Sequence, residues 1–597
     1  MRAASLFGVL MFAKVLVLAG TGQSFGPWAP LAYFWQDAAV ALVAGALEAL
    51  FRQPRVGWVV YAGLVIYVAW GVPVAIVLGT PLTWPLLDAA RGPLADSIAY
   101  YVTVANILRI AGIVAAGIVL PIVLARFTRE SLRAGGVNWK WVSVALALVF
   151  VAVGPAAAAR VDTMGLDRNA VTALLPGRLP SAPESRLRQG FGGQASTDWR
   201  ASPFRGEARD LPTSPATVET LSRLRGAAKG MNVIVVVLES TAAQYLRPYG
   251  AAEDPTPHLT ALAGHALLFE NAYATYPESI KGLFSILCSQ YPAFGVSAED
   301  HARLPCAPVA MQLTAAGYQT ALFHSGRFGY LGMDAILDHK GFGLLEDAGA
   351  IGGHVESSFG VDEASTVDRV LGWIDALPAR APFVATYLPV AGHHPYATAT
   401  PGPFPDDTDV NRYRNALHEG DAALGALLAG LRARGLDGRT AIVVFGDHGE
   451  AFGQHRGNNG HTLFINEENV RVPLLIAVPG VTTGSTRSAD VVSLLDVAPT
   501  LLDLVGLPVP VGYQGTSALR PGARTALFLT DYSLGLLGLR DGCWKYIFEV
   551  DSARSKLFDV CRDAGETRDR SAEETDRVAA YRDHVQAWST AQRAAAR

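Results

Sequence analysis

The sequence predicts an α/β protein: five N-terminal transmembrane helices, then a doubly wound domain with a mostly parallel sheet, closed by a small C-terminal α+β subdomain. Three observations carry that prediction. Hydrophobic residues make up 50% of the 597 residues and mean hydropathy is +0.24, high for a soluble chain, and the excess is concentrated in the first 160 residues. Beyond residue 230, β-branched runs alternate with helical patterns, which implies βαβ units and a parallel sheet. The stretch "LGLRDGCWKYIFEVDSARSKLFDV" then reads as short antiparallel strands.

The apolar stretches lie at residues 6–18, 33–50, 56–78, 98–124 and 141–158. Most reach or approach the roughly 20 residues that cross a bilayer. The first has the length of a signal-peptide core, but four more follow and no small-residue cleavage site is obvious. Arg2 and Lys14 flank the first span, Arg52 and Arg55 separate the second from the third, and Arg126, Arg129, Arg133 and Lys140 separate the fourth from the fifth. The alternate loops are poor in Lys and Arg, with only Arg91 in the longer one. The positive-inside rule then puts the N-terminus in the cytoplasm and everything after the fifth span outside. The expectation is a multi-pass protein of the cytoplasmic (inner) membrane, its large domain on the extracytoplasmic or periplasmic side and the lipid bilayer among its partners. Cys288, Cys306, Cys543 and Cys561 all fall in that external part, as suits an oxidising compartment, and their spacing favours Cys288–Cys306 and Cys543–Cys561 among three connectivities. A net charge of −4 argues against a nucleic-acid partner.

The expected domains are a membrane domain at 1–160, a largely disordered linker at 161–229 and an ectodomain at 230–597, with a C-terminal subdomain from about 525. The linker reading rests on a stretch rich in Pro, Gly, Arg and Ser, too poor in apolar residues to offset the entropy of ordering. In the ectodomain, "NVIVVVLE", "TALFHS", "PFVATYLPV", "TAIVVFGD" and "VPLLIAVPG" read as strands. "VAMQLTAAG", "VDRVLGWIDALPA" and "YRNALHEGDAALGALLAGLRARG" read as the helices between them.

Ligands of open α/β sheets sit at the C-terminal ends of the strands. "TAIVVF" runs directly into Asp447 and His448, and "VVVLEST" ends in Glu239. Two strand ends of one parallel sheet can place these three side chains around one ion, leaving an open position. Two carboxylates and an imidazole suit zinc or manganese, with magnesium and calcium as alternatives. Ser279 precedes a helical pattern, where it can cap the helix while the free N–H groups of the first turn favour an anionic substrate group.

"NVIVVVLES", "ESIKGLFSILCSQYP", "AAGYQTALFHSG", "HHPY", "FGDHGE", "GHTLFINEENVRVPLLI" and "WKYIFEVD…KLFDV" resemble successive blocks of the sulfatase-like branch of the alkaline phosphatase superfamily. With five preceding spans, the chain is most similar to membrane-anchored members such as lipoteichoic acid synthases and phosphoethanolamine transferases. The resemblance covers about residues 230–565 and implies that Glu239, Asp447 and His448 bind one divalent metal ion, with Ser279 as nucleophile and further ligand. It also implies that His393 and His461 contact the transferred or leaving group, with His394, Lys281 and His324 as lesser candidates for substrate contact. Sulfatases oxidise a Cys or Ser within a C/S-x-P-x-R motif to formylglycine. Here Lys281 and Leu283 stand where that motif has Pro and Arg. An unmodified Ser279 suits phosphoryl transfer from phospholipid or cell-envelope polymer substrates better than sulfate-ester hydrolysis. A sulfatase and an inactive envelope-binding scaffold are the rival readings.

Overall fold

Five helices form where the apolar runs lie: α1 (Arg2–Gly20), α2 (Ala29–Phe51), α3 (Pro54–Leu78), α4 (Val104–Arg133) and α5 (Trp139–Ala158). All five contain a stretch long and apolar enough to cross a membrane. The computed structural model describes residues 2–21, 26–51, 53–78, 99–133, 139–172, 198–204, 213–330, 332–357, 359–532 and 535–596, which group into a helical unit and a sheet-containing unit. In the helical unit the sequence reading of Lys14 needs correction. Lys14 lies inside α1 and is buried, its Nζ 2.9 Å from Asp37 Oδ2 of α2, so it neutralises a carboxylate instead of marking a loop. A cation buried in an apolar bundle requires such a partner. It carries no information about orientation.

Every described part of the stretch expected to be a linker is packed. Asp167 O and Arg168 O accept hydrogen bonds from Lys14 Nζ at 2.9 and 3.0 Å within the helical unit. In the other unit Arg200 is buried and makes a bidentate pair with Asp496 at 2.5 and 2.8 Å, while its Nε donates to Thr525 O. A guanidinium held by a carboxylate fork and a carbonyl orders a segment that composition alone would leave solvated. Helix α6 (Pro215–Leu224) follows, with Ser214 as its N-cap accepting from Thr217 N and Pro215 at its first position. Residues 173–197 and 205–212 of the same stretch lie outside the described residues.

The sheet unit begins with β1 (Asn232–Leu238), followed by β2 (Leu267–Tyr273), α7 (Ser279–Cys288), β3 (Gln319–His324) and β4 (Leu344–Glu346). Then come α8 (Glu363–Ala376), β5 (Phe383–Leu388), α9 (Asp409–Ala433), β6 (Thr440–Gly446), β7 (Arg471–Val472), β8 (Leu474–Ala477), β9 (Thr486–Ser493) and α10 (Val497–Leu504). The nine strands run in the order β7-β2-β8-β6-β1-β5-β3-β4, with β9 beside β2. From β6 to β4 all pairings are parallel, whereas β8 is antiparallel to both β6 and β2. Alternation along β1 explains the doubly wound form. Val233, Val235 and Val237 belong to the core shared with Phe284 of α7 and Leu502 of α10, while Ile234 and Val236 face Val370 of α8 and Leu427 of α9. Each buried Val or Leu contributes about 1.5–3 kcal/mol, so a charge at Val236 would open one face of the sheet.

The tail forms an antiparallel meander of β10 (Ala526–Thr530), β11 (Leu536–Asp541), β12 (Trp544–Glu549) and β13 (Arg554–Asp559), with α11 (Thr575–Ala595) supplying Tyr581, Val585 and Trp588 to a shared core. Both expected disulfides, Cys288–Cys306 and Cys543–Cys561, are present.

Candidate active site

Parallel register brings the chemistry together. Leu238 of β1 lies opposite Gly446 of β6, so Glu239 and Asp447 are the next residues on adjacent strand ends, and Asp447 N donates to Leu238 O at 3.1 Å. The turn after β6 needs glycine. A Cβ on Gly449 would lie 2.0 Å from Glu468 O, a clash with backbone. Glu239, Asp447 and His448 are all buried, and each offers a ligand atom within 4.8 Å of the others.

Ser279, the first residue of α7, reaches the same point. Its Oγ lies 3.0 Å from Glu239 Oε2, 2.6 Å from Asp447 Oδ2 and 3.2 Å from His448 Nε2. His448 Nδ1 faces Gly449 O at 3.0 Å, which makes Nδ1–H the donor and leaves Nε2 as the ligand atom. The cluster is short of positive charge. Burial opposes a charged imidazole, yet the Asp447 and Glu239 carboxylates push His448 up to about 10, and burial together with the Glu239 charge pushes Asp447 up to about 6. Two carboxylates, an oriented imidazole and a hydroxyl converging in a buried spot that draws in a proton are a donor set that fits a divalent cation.

The first turn of α7 differs from the sequence reading. Glu278, not Ser279, is the N-cap, and its carboxylate accepts from Ile280 N at 2.9 Å and Lys281 N at 3.4 Å. Those amides are therefore occupied, and the helix end is no open anion site. Releasing Ser279 from capping leaves its hydroxyl free for the cluster.

A cavity opens over Ser279, lined also by Glu239, His324, Arg327, His393 and His461. All three histidines are fixed through Nδ1: His324 to Leu388 O at 3.0 Å, His393 to His394 O at 2.7 Å and His461 to Glu450 Oε2 at 2.7 Å. That leaves each Nε2 available toward the cavity. Burial lowers the pKa of both His324 and His393, favouring the neutral ring. The His461 ring lies tilted against the His448 ring, their centroids 4.3 Å apart and their planes at 33°. Lys281 and His394 are not brought to this cavity. Lys281 Nζ pairs with Asp531 Oδ1 at 2.8 Å, and the His394 ring lies against Tyr396 at 5.3 Å.

Three residues at the site were not singled out from the sequence. Glu450 is buried and orients His461 while accepting from Tyr396 OH at 2.7 Å; its place within "GDHGE" was the available signal. Glu278 was hidden by its neighbour. Arg327, three residues past the end of β3, is exposed at the cavity wall, and only its nearness to a strand end points to it.

Residues 231–507 match the family model described as Sulfatase. The chain is 26% identical over 323 residues to the lipoteichoic acid synthase-like YvgJ of Bacillus subtilis, covering 50% of this chain and 51% of that protein. It is 28% identical over 233 residues to the arylsulfatase K of Homo sapiens, covering 34% of this chain and 42% of that one. The chain thus spans about half the length, or less, of these curated relatives. Among solved structures it is similar in fold to a protein in the alkaline phosphatase superfamily from Vibrio parahaemolyticus, with a TM-score of 0.51, 18% identity, and coverage of 66% of this chain and 98% of that one.

Proposed function

We propose, from a domain that belongs to the sulfatase-like branch of the alkaline phosphatase superfamily, that this chain is a membrane-anchored, metal-dependent phosphotransferase or phosphohydrolase. Its substrates are phosphate esters of membrane lipids or cell-envelope polymers on the outer side of the cytoplasmic membrane. The observation that carries the reading is the position of Ser279 Oγ, within hydrogen-bond distance of Glu239, Asp447 and His448 at once, in a sequence context without the Pro and Arg of the formylglycine motif.

Glu239, Ser279, Asp447 and His448 would hold one divalent ion, manganese or zinc by donor type. When bound, the ion supplies Lewis-acid polarisation of the Ser279 hydroxyl and of a phosphoryl oxygen. Ser279 gives its hydroxyl proton to Asp447 Oδ2, 2.6 Å away, as Oγ attacks phosphorus and the ester oxygen leaves, which forms a phosphoserine from a monoester and a serine phosphodiester from a diester. His393 and His461, each with Nδ1–H committed to an acceptor, present Nε2 to the reacting group: in the neutral ring Nε2 takes up a proton, and once the ring is an imidazolium its Nε2–H stabilises charge on the phosphoryl oxygens or passes the proton to the departing oxygen. The water or acceptor alcohol that regenerates Ser279 enters from the open side of the cavity.

A second reading, sulfate-ester hydrolysis, is supported by the arylsulfatase K similarity. Turnover of bis(p-nitrophenyl) phosphate and of p-nitrophenyl sulfate by the manganese-loaded full chain separates the two. The phosphodiester is expected to be the better substrate by kcat/KM, with Ser279→Ala abolishing turnover. Preference for the sulfate ester would overturn the phosphotransfer reading.

A further inference from the structure

Glu363 is a buried carboxylate that the steps above do not use. It is the first residue of α8 and touches none of the candidate ligands. Its Oε1 accepts from Ser325 Oγ at 2.8 Å, Val390 N at 2.8 Å and Ala391 N at 3.0 Å, and its Oε2 accepts from Tyr387 OH. Val390 N also donates to Ser325 Oγ at 2.7 Å. These partners lie at two strand ends. Ser325 follows His324 at the end of β3, and Val390 and Ala391 lead from β5 to His393. The segment entering α8 closes the arrangement. Val361 N donates to Ser325 O at 2.9 Å, and the Phe359 ring packs 4.1 Å from the His393 ring.

We propose that Glu363 is a positioning residue, whose carboxylate ties the ends of β3 and β5 together and thereby fixes His393 and His324 at the cavity wall. The inference rests on the phosphotransfer reading only for what the histidines contact. Loops accommodate a ring in many orientations, whereas one carboxylate accepting two successive backbone amides and two hydroxyls admits few. Burial pushes this carboxyl up to about 7, against four hydrogen bonds that favour its ionised form. An apolar residue at this place would avoid that unfavourable term. Gln keeps the shape of the side chain but offers one oxygen where the carboxylate offers two, and turns an N–H₂ toward donors.

The test uses the full chain in detergent and two measurements. Hydrogen exchange of the peptide containing residues 388–393 is expected to rise in Glu363→Gln while the β1 peptide stays protected; unchanged exchange at 388–393 overturns the proposal whatever the substrate is. With bis(p-nitrophenyl) phosphate, Glu363→Gln is expected to lower kcat roughly tenfold to a hundredfold with little change in KM, manganese binding staying at the wild-type level and Glu363→Asp recovering part of the loss. If Glu363 acts through His393 and His324, Glu363→Gln added to the double variant His393→Ala/His324→Ala makes it no slower. Losses that multiply overturn the proposal. If Glu363→Gln does not fold, Ser325→Ala removes one arm of the same knot and enters the same cycle. Should the wild type turn over only p-nitrophenyl sulfate, the phosphotransfer reading fails, while the exchange result and a cycle run on that ester still decide the role of Glu363.

Discussion

Asp447 illustrates how one side chain is divided between structure and chemistry. Its Oδ1 accepts from Ser240 N at 3.0 Å and His448 N at 2.8 Å, holding the turn after β6, while Oδ2 faces Ser279. Asp447→Asn keeps an oxygen for the turn but removes a negative charge from the ligand set. The expected result is a fold near that of the wild type and a loss of manganese affinity at least as large as the roughly 10- to 100-fold that follows loss of an outer-shell partner. Equilibrium dialysis of the full chain measures it, and wild-type stoichiometry in Asp447→Asn would remove this residue from the ligand list. At this scale the sequence was most legible where a polar residue ends an apolar strand, as with Glu239, Asp447 and His448. It was least legible where a side chain works through a neighbour. Nothing in "PESIK" tells that Glu278 takes the cap and frees Ser279, since Ser is among the preferred N-caps and Glu is not, and the choice is made by the extended backbone at Glu278.

β1, β3, β5, β6 and β8 were readable because each is an apolar run buried almost throughout, whereas β2, β4, β7 and β9 are interrupted by polar, half-buried residues or are only two or three residues long and gave no such run. The antiparallel direction of β8 was not readable, because "VPLLIAVPG" has the same apolar pattern whichever way it runs and its pairing is set by partners distant in sequence. The packed segment at 198–204 was hidden for a related reason. Composition marks a stretch as solvated, but one bidentate pair, Arg200 with Asp496, outweighs it. Removing one member of a buried pair strands the other, at about 3–5 kcal/mol, whereas half-exposed pairs contribute about 0–1 kcal/mol. Arg200→Ala should therefore lower the apparent unfolding midpoint of the full chain well below that of Arg225→Ala, because the Arg225 side chain is exposed and its partner Asp503, 3.4 Å away, keeps a second pair with Arg520. Equal shifts would show that the 198–204 segment is not anchored through this pair.

At the scale of the whole molecule, the account needs the site and its substrates on the same side of the membrane. Without Lys14 the positive-inside argument still rests on Arg55 and on Arg126, Arg129 and Arg133, and the two disulfides suit an oxidising compartment. A fluorescent protein that matures only in the cytoplasm, fused to the C-terminus, should stay dark. Fluorescence would reverse the topology and with it the proposed substrates.

The central claim is that Ser279 carries the transferred group as an ordinary hydroxyl. It is tested most directly by acid-quenching the manganese-loaded full chain during turnover of bis(p-nitrophenyl) phosphate and measuring the mass of the peptide that contains residue 279. The account predicts a p-nitrophenylphosphoryl adduct on Ser279, one p-nitrophenol having left, that is absent from Ser279→Ala and diminished in Asp447→Asn. A formylglycine mass at residue 279, or an adduct confined to another residue, would contradict it.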